Sequence, residues 1–539
     1  MAQIKFTADL AAAEYPLLTK FAGRTVMQGN LDGGTYQTNL NQIKMPQIQY
    51  CQNILPTKAG YKSVTYASMY AAASPINTTF SRVWTVTDSS LTRAKLAVTT
   101  NSRIYILSTA VGFWVDITPA GWAGGDAVTV AFAQGVTYIY LANFGCYTVS
   151  VSALTLTAQT LTAITAANIT GCFEVLGYLC LFDNSHIYWC STLSPTDFTP
   201  SLITGAGSSI PNDLAGVIVA VVPIPSGYII YSTENIILAA FSNNTQFPWI
   251  FTPASGGSGI SSVNQVSSSS NGNIDFSVAQ TFAGILEVRN KGCTQTVPEV
   301  AEFLAALIYE AYDPINNIVV STNLTKQLQT RIAVIGGRYI VLSYAIAGTV
   351  GFTDAIVRDI VLNRWGKLST PHASVFEFDT AITSGASVYA NTLNAYNTYT
   401  TVAYNQAGVG ISSPPSIGNN FGLLGIDGSL SIAVFDDYIY NASSVLLLGK
   451  YQATRDYLLT LQSVDVETID LDNAGFKLLD IVSIDGKDPA PAVALNQNSA
   501  GAELRTYGCR LAAKNHTLVF LGSFNLTTVE ITAVLGSRR

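Results

Sequence analysis

The chain reads as all-β: a β-propeller of about six blades with a β-rich platform domain and one helical insertion. Three observations predict this. A core of apolar and aromatic residues recurs, as Arg103-IYILS, Tyr138-IYLAN, Tyr178-LCLFD, Tyr228-IIYST, Asn273-IDFSV and Tyr339-IVLSY. The anchors at 103, 138, 178, 228, 273 and 339 lie 35, 40, 50, 45 and 66 residues apart. Intervals of roughly 40–50 residues with several strands each mark propeller blades, and the longest interval holds an insertion. Finally, each core leads through a turn into a return strand, such as Cys146-YTVSV, Ile187-YWCST, Ile236-ILAAF and Ile285-LEV, and Gly135, Gly177, Gly227, Gly272 and Gly337 precede five of the six. Runs this continuously apolar suit strands covered on both faces by neighbouring blades. A β-sandwich offers similar strand density, but not the period.

In order along the chain, residues 1–62 form an N-terminal arm or platform segment, with a short helix suggested from Asp9 and a turn punctuated by Pro56 and Gly60. Residues 63–371 are the propeller. Within them the insertion 296–330 carries the best helix pattern, Pro298 to Tyr312. Pro298 suits a first turn, and Glu299 and Glu302 favour the N-terminal dipole. Val300, Phe303, Leu304, Leu307 and Ile308 share one face. Such a helix packs on the propeller flank or contacts another protomer. Residues 372–428, rich in Gly, Ser, Asn and Tyr, are a loop-rich tip or a last blade. Residues 429–539 form a C-terminal β platform domain, with strands expected at Ser429–Phe435, Val445–Lys450, Tyr457–Glu467, Phe476–Ile484, Arg505–Leu511, His516–Leu521 and Thr528–Val534.

Composition narrows the function. Hydrophobic residues make up 48% and charged residues 11%, and mean hydropathy is +0.31. No apolar run reaches the roughly 18 residues of a membrane-spanning helix, and the start, MAQIKFTADL, has no signal-peptide pattern. A soluble chain this apolar is expected to cover much of its surface in an assembly. Net charge is −7 with no basic run before Arg538-Arg539, which argues against tight nucleic-acid binding. Seven cysteines (51, 146, 172, 180, 190, 293, 509) without a CxxC pair read as free buried thiols of a protein made in a reducing cytosol.

The sequence presents no catalytic, cofactor-binding or metal residues. His186, His372 and His516 lack ligand spacing. Ser191 and Asp197 lie near His186, but in a strand and turn. Asp183, Asp197, Asp354 and Asp359 have the composition of a glycosidase pair but read as turn and strand-end residues, and no Asp-box is present. Gly256-Gly257-Ser258-Gly259 lacks the Lys and helix of a phosphate loop, the sequons at Asn243 and Asn323 read as chance matches, and Ser267–Ser270 reads as a loop.

Five stretches occur together and in order: Cys51 to Val64; Ile187 to Ser191 running into Pro195 to Ser201; Ile229 to Ile236 followed by Gly259 to Ser262; Asp359 to Leu368 with His372; and Gly522 to Thr528 with the Arg538-Arg539 terminus. This set resembles the tail nozzle proteins of short-tailed bacteriophages, also called tail tubular protein B or packaged-DNA stabilisation proteins. The resemblance implies a structural virion protein, not an enzyme, in the viral tail and assembled in the host bacterial cytoplasm. It implies a homo-hexameric tube that docks to the head–tail adaptor and to tail fibres or spikes. Such a tube retains packaged double-stranded DNA and conducts it at ejection, without sequence-specific binding, and neutral or acidic walls would let the DNA slide. By analogy the N-terminal arm and C-terminal domain face the adaptor and the 372–425 loops form a distal gate. The rival reading is a glycan-binding propeller adhesin or glycosidase of a virion.

Overall fold

The structure is a computed structural model. It describes residues 3–10, 48–70, 79–108, 113–242, 244, 248–254, 259–268, 276–281, 284–289, 294–297, 299–301, 303–304, 311–313, 318–321, 328–346, 349–377, 421–434, 444–452, 457–468, 476–483, 492–500, 504–513, 515–522 and 524–538. Strands dominate, and their pairing within the ring is antiparallel throughout. Blade 1 is Phe80–Thr87, Arg93–Thr99, Ile104–Ser108 and Phe113–Asp116. Blade 2 is Val128–Ala133, Val136–Leu141, Gly145–Ser150 and Thr155–Gln159, and blade 3 is Gly171–Val175, Tyr178–Phe182, Ile187–Trp189 and Gly207–Ser209. Blade 4 is Ile218–Ile224, Gly227–Ser232, Ile236–Phe241 and Trp249–Pro253; blade 5 is Val266–Ser268, Phe276–Thr281, Gly284–Arg289 and Thr294–Val297. Blade 6 is Leu328–Ile335, Tyr339–Ile346, Asp354–Asp359 and Arg364–Leu368.

A seventh blade closes the ring, one more than the sequence anchors count. It joins Ser374–Glu377, Phe421–Leu424 and Leu430–Val434 to an outer strand, Thr65–Tyr70, that precedes blade 1 in the chain. The expected strand at 429–435 therefore belongs to this blade rather than to the platform. The segment 378–420, and with it most of the expected gate, lies outside the described residues.

The core explains the continuous apolar runs. Successive side chains of a strand point to opposite faces. In Gly227–Ser232, Tyr228 and Ile230 pack toward blade 3, whereas Ile229 and Tyr231 pack toward blade 5. No face meets water, so no polar alternation is required. Such a cluster fills every gap: blades 1 and 2, 2 and 3, 3 and 4, 4 and 5, 5 and 6, 6 and 7, and 7 back to 1. The recurring core is the second strand in blades 2, 3, 4 and 6, and it leads into the second strand in blade 5. The Arg103 anchor is the exception, because Ile104–Ser108 is the third strand of blade 1.

The helical residues 299–301 and 303–304 place Val300, Phe303 and Leu304 in the cluster between blades 5 and 6. The described part of the apolar face is thus covered by the propeller. The helix expected to reach Tyr312 stops short of it, since Ala311–Asp313 pairs as a strand with Ile318–Ser321. Ser267 and Ser268 lie in the first strand of blade 5 rather than in a loop.

Two sheets build the platform. In one, Asn525–Arg538 is flanked by Tyr457–Thr468 and by Gln3–Asp9, and the sheet continues through Leu504–Ala513 to Asn496–Ala500. The other runs Ile48–Gln52, Val445–Gln452, Asn515–Leu521, Lys477–Ser483 and Val493–Ala494. Both sheets bury side chains in one cluster that includes Leu10, Ile48, Tyr61, Leu446, Leu461, Phe520 and Ile531. His516 joins the sheets: Nδ1 lies 2.7 Å from Asp480 Oδ2, and Nε2 donates to the Leu459 carbonyl at 2.9 Å. Leu459 offers only an acceptor, so Nε2 carries a proton.

Candidate functional site

Three of the five stretches that carry the family resemblance meet at one place, the junction of propeller and platform. The outer strand of blade 6 pairs with the N-terminal segment, Lys367 opposite Ile54. That segment turns at Thr57–Gly60 and pairs with the C-terminal strand, Tyr61 opposite Leu526. One continuous sheet therefore runs from blade 6 into the platform. Gly60 is required here, since a Cβ at that position would lie 1.9 Å from the Leu526 carbonyl oxygen.

Asn53 holds the bend that feeds this pairing. It is buried and sits at φ 53°, a left-handed conformation in which asparagine is among the few tolerated residues. Its carbonyl accepts from Val64 N at 2.8 Å and from Ser444 Oγ at 3.0 Å, and its Oδ1 accepts from Ser369 N at 2.8 Å. Ser63 N donates to the Phe524 carbonyl at 2.9 Å, and Ser63 Oγ donates to the Gly522 carbonyl at 3.1 Å. Arg364 donates from Nη2 to the Leu10 carbonyl at 2.6 Å and from Nη1 to the Thr57 carbonyl at 3.1 Å, with its guanidinium 4.4 Å from the Tyr61 ring centroid. Beside it Lys367 Nζ lies 3.1 Å from Asp354 Oδ1. Burial alone would raise the Asp354 carboxyl. Lys367 and the Ser369 and Thr353 hydroxyls reverse that and hold it below its ordinary value. The arrangement fixes two bodies together and can transmit force between them; it assembles no nucleophile and base.

The titratable residues singled out in the sequence are occupied elsewhere. His186 Nδ1 faces both Ser185 Oγ at 2.9 Å and Asp183 Oδ1 at 3.3 Å, so hydroxyl and carboxylate compete for one nitrogen and no relay across the ring exists. Burial would raise the Asp183 carboxyl, but the Ser185 and His186 amides and the Tyr188 hydroxyl hold it low. Ser191 Oγ accepts from Leu193 N, and Asp197 Oδ1 accepts from Thr162 Oγ1 and Thr199 N; neither meets His186. Asp354 and Asp359 end one extended strand, about 16 Å apart at the usual rise per residue, and Asp359 is bonded by Arg338 Nε and Nη2 at 2.9 and 2.6 Å. His372 is buried in blade 7's approach. Among the described residues no group of His, Cys, Asp and Glu is placed to hold a metal ion. Gly256 to Ser258, Asn243 and Asn323 lie outside the described residues. Gly259 is described, and its Cα packs so closely on blade 4 that a Cβ would lie 1.9 Å from the Thr233 carbonyl oxygen.

Cys51, Cys146, Cys172, Cys180 and Cys190 are free and buried. Burial pushes the Cys51 and Cys172 thiols up to about 12 and Cys190 to about 11, and it also raises Cys146 and Cys180. Thiolates are the reactive form. A disulfide reagent at pH 8 is therefore expected to leave these five unlabelled in the folded protein and to label them in denaturant, as peptide mass mapping would read.

Arg82, Asp126 and Arg331 form a group that no sequence motif marks; the available signal is an arginine within the first strands of blades 1 and 6, each followed by apolar residues, Val83-Trp84 and Ile332 to Ile335. They meet where the first strands of the blades begin.

No family model and no curated protein matches the chain. Among solved structures it is similar to "YCF48 bound to D1 peptide", at 9% identity over 72% of this chain and 98% of that one, with a TM-score of 0.38. It is also similar to the computationally designed Ika8 protein, at 8% identity over 64% of this chain and 80% of that one, with a TM-score of 0.34. Likenesses this distant carry no argument about what the chain does.

Proposed function

We propose that the chain is a structural component of a viral tail, the nozzle protein of a short-tailed bacteriophage. Six copies would form a ring that retains packaged DNA and passes it at ejection. The observation that supports this best is the junction. Three stretches of the resemblance, far apart in sequence, converge on hydrogen bonds that lock propeller to platform. A conduit under the pressure of packaged DNA needs such rigid coupling between the part that meets its neighbours and the part that carries loops. The composition adds support, because 48% hydrophobic with only 11% charged residues suits a surface covered by other protomers. The net charge of −7 suits walls along which a polyanion slides. On this reading the adaptor and the fibres or spikes are the further partners.

Mass photometry of the purified chain tests the assembly. The expected species has about six times the 57.3 kDa of one chain, formed alone or on addition of the adaptor ring. A strict monomer under both conditions, binding immobilised glycans, would favour the adhesin reading instead.

A further inference from the structure

At the mouth of the propeller axis, on the side where first strands begin, two guanidiniums and one carboxylate gather from three blades. Arg331 extends from the first strand of blade 6. Its Nη1 donates to the Ser81 carbonyl of blade 1 and to the Ala373 carbonyl at the start of blade 7, the latter at 2.9 Å. Its Nη2 donates to Ser81 Oγ at 3.2 Å and lies 4.0 Å from Asp126 Oδ2, just before blade 2. Ser81 Oγ in turn donates to Asp126 Oδ2 at 2.6 Å. Arg82 follows Ser81 in the same strand, so its backbone adjoins the carbonyl and hydroxyl that Arg331 holds, and its charge acts on both Asp126 and Arg331.

The charges do not balance. Asp126 is shared by two cations, and the Nε–H groups of both Arg82 and Arg331 are buried without a hydrogen-bond partner. Burying a guanidinium donor unpaired is costly. The backbone adds an independent sign: the pairing register of blade 1's first strand shifts between Phe80 and Arg82, and such bulges re-aim side chains. The group also opens to solvent, since the Asp126 side chain is 34% exposed while that of Arg331 is 11% exposed.

We propose that Arg82 and Arg331 form a binding site for an oxyanion such as phosphate at the mouth of the propeller axis, with Asp126 limiting its affinity. The anion accepts from the unpaired guanidinium donors, supplies the missing negative charge, and ties blade 6 to blade 1 across the start of blade 7. Consistently, burial and the neighbouring Arg82 lower Arg331 to about 9, a displacement that an added anion relieves. The site stands whether or not the chain forms a ring.

Thermal unfolding with inorganic phosphate, against sodium chloride at matched ionic strength, is the test. The midpoint is expected to rise saturably with phosphate. Arg82→Gln is expected to weaken the apparent affinity about ten- to hundredfold, the worth of one charge-assisted hydrogen bond. Asp126→Asn, which removes the competing carboxylate, is expected to tighten it, and this variant decides the matter should Arg82→Gln fail to fold. A phosphate response equal to that of chloride, or an unchanged response in Arg82→Gln or Asp126→Asn, overturns the proposal.

Discussion

Arg364→Ala is expected to destabilise the protein by about 3 kcal/mol. The substitution leaves the Leu10 and Thr57 carbonyls without the donors that now reach them at 2.6 and 3.1 Å; stranding the buried Leu10 acceptor costs about 1–3 kcal/mol, and the half-buried Thr57 acceptor adds less. It also removes the guanidinium from the Tyr61 face, 4.4 Å away, which contributes about 1 kcal/mol or more where water is excluded. Because Arg364 lies on blade 6 and its partners on the N-terminal segment, the loss falls on the junction. Hydrogen exchange is therefore expected to rise first in 48–63 and 524–531, ahead of blades 2–4. Lysine retains the charge but not the two-pronged donor geometry, so Arg364→Lys is expected to recover little. Exchange that rises uniformly, or first in blades 2–4, would show that the junction is not the coupling element.

Acid is expected to remove about 3 kcal/mol through one residue, His372. Its ring is fully buried; Nδ1 donates to the Thr370 carbonyl at 2.7 Å, so Nε2 accepts from Ser343 Oγ at 2.7 Å. Burial, with Arg331 adding to it, lowers His372 to about 4, against the opposing pull of the Thr370 carbonyl and Asp354. The folded form therefore resists protonation while the unfolded form takes a proton near pH 6.5. Stability is fully present above 6.5, falls as pH drops toward 4, and loses nothing further below it. A gap of about 2.5 between the folded and unfolded values corresponds to about 3 kcal/mol. Urea unfolding of the wild type and of His372→Gln between pH 7 and 4 isolates this contribution. The variant, which cannot titrate there, is expected to show the shallower decline, and parallel declines would remove His372 from the account.

Much of the ring was legible because the physics is local. Tyr228 to Tyr231 must satisfy a blade on each side, so they are apolar without alternation, and that pattern repeats. The seventh blade was hidden because its pieces are not adjacent. Glu377 and Phe421 are hydrogen-bonded neighbours separated by a long insert, and Thr65–Tyr70 arrives from before blade 1. Periodicity cannot reveal a repeat assembled from three separate segments. The helix that stops before Tyr312 is the opposite case. Propensity alone extends it, whereas Ala311–Asp313 finds a strand partner in Ile318–Ser321.

The junction was visible only as three familiar stretches, not as a place. Nothing in the identity of Asn53 announces a left-handed bend that serves Val64, Ser369 and Ser444 at once. The cluster of Arg82, Asp126 and Arg331 is likewise tertiary. A cation within the run Thr330 to Ile335 was the available signal, and its meaning depends on partners from blades 1, 2 and 7.

Electron cryo-microscopy of the assembled chain decides whether the protein is a ring-forming conduit. The expected image is a closed ring of six copies around a bore wide enough for duplex DNA, with a wall free of continuous lysine and arginine rings and with each propeller held rigidly to its platform. A monomer, a ring without a through-passage, or a bore lined by such basic rings would contradict it.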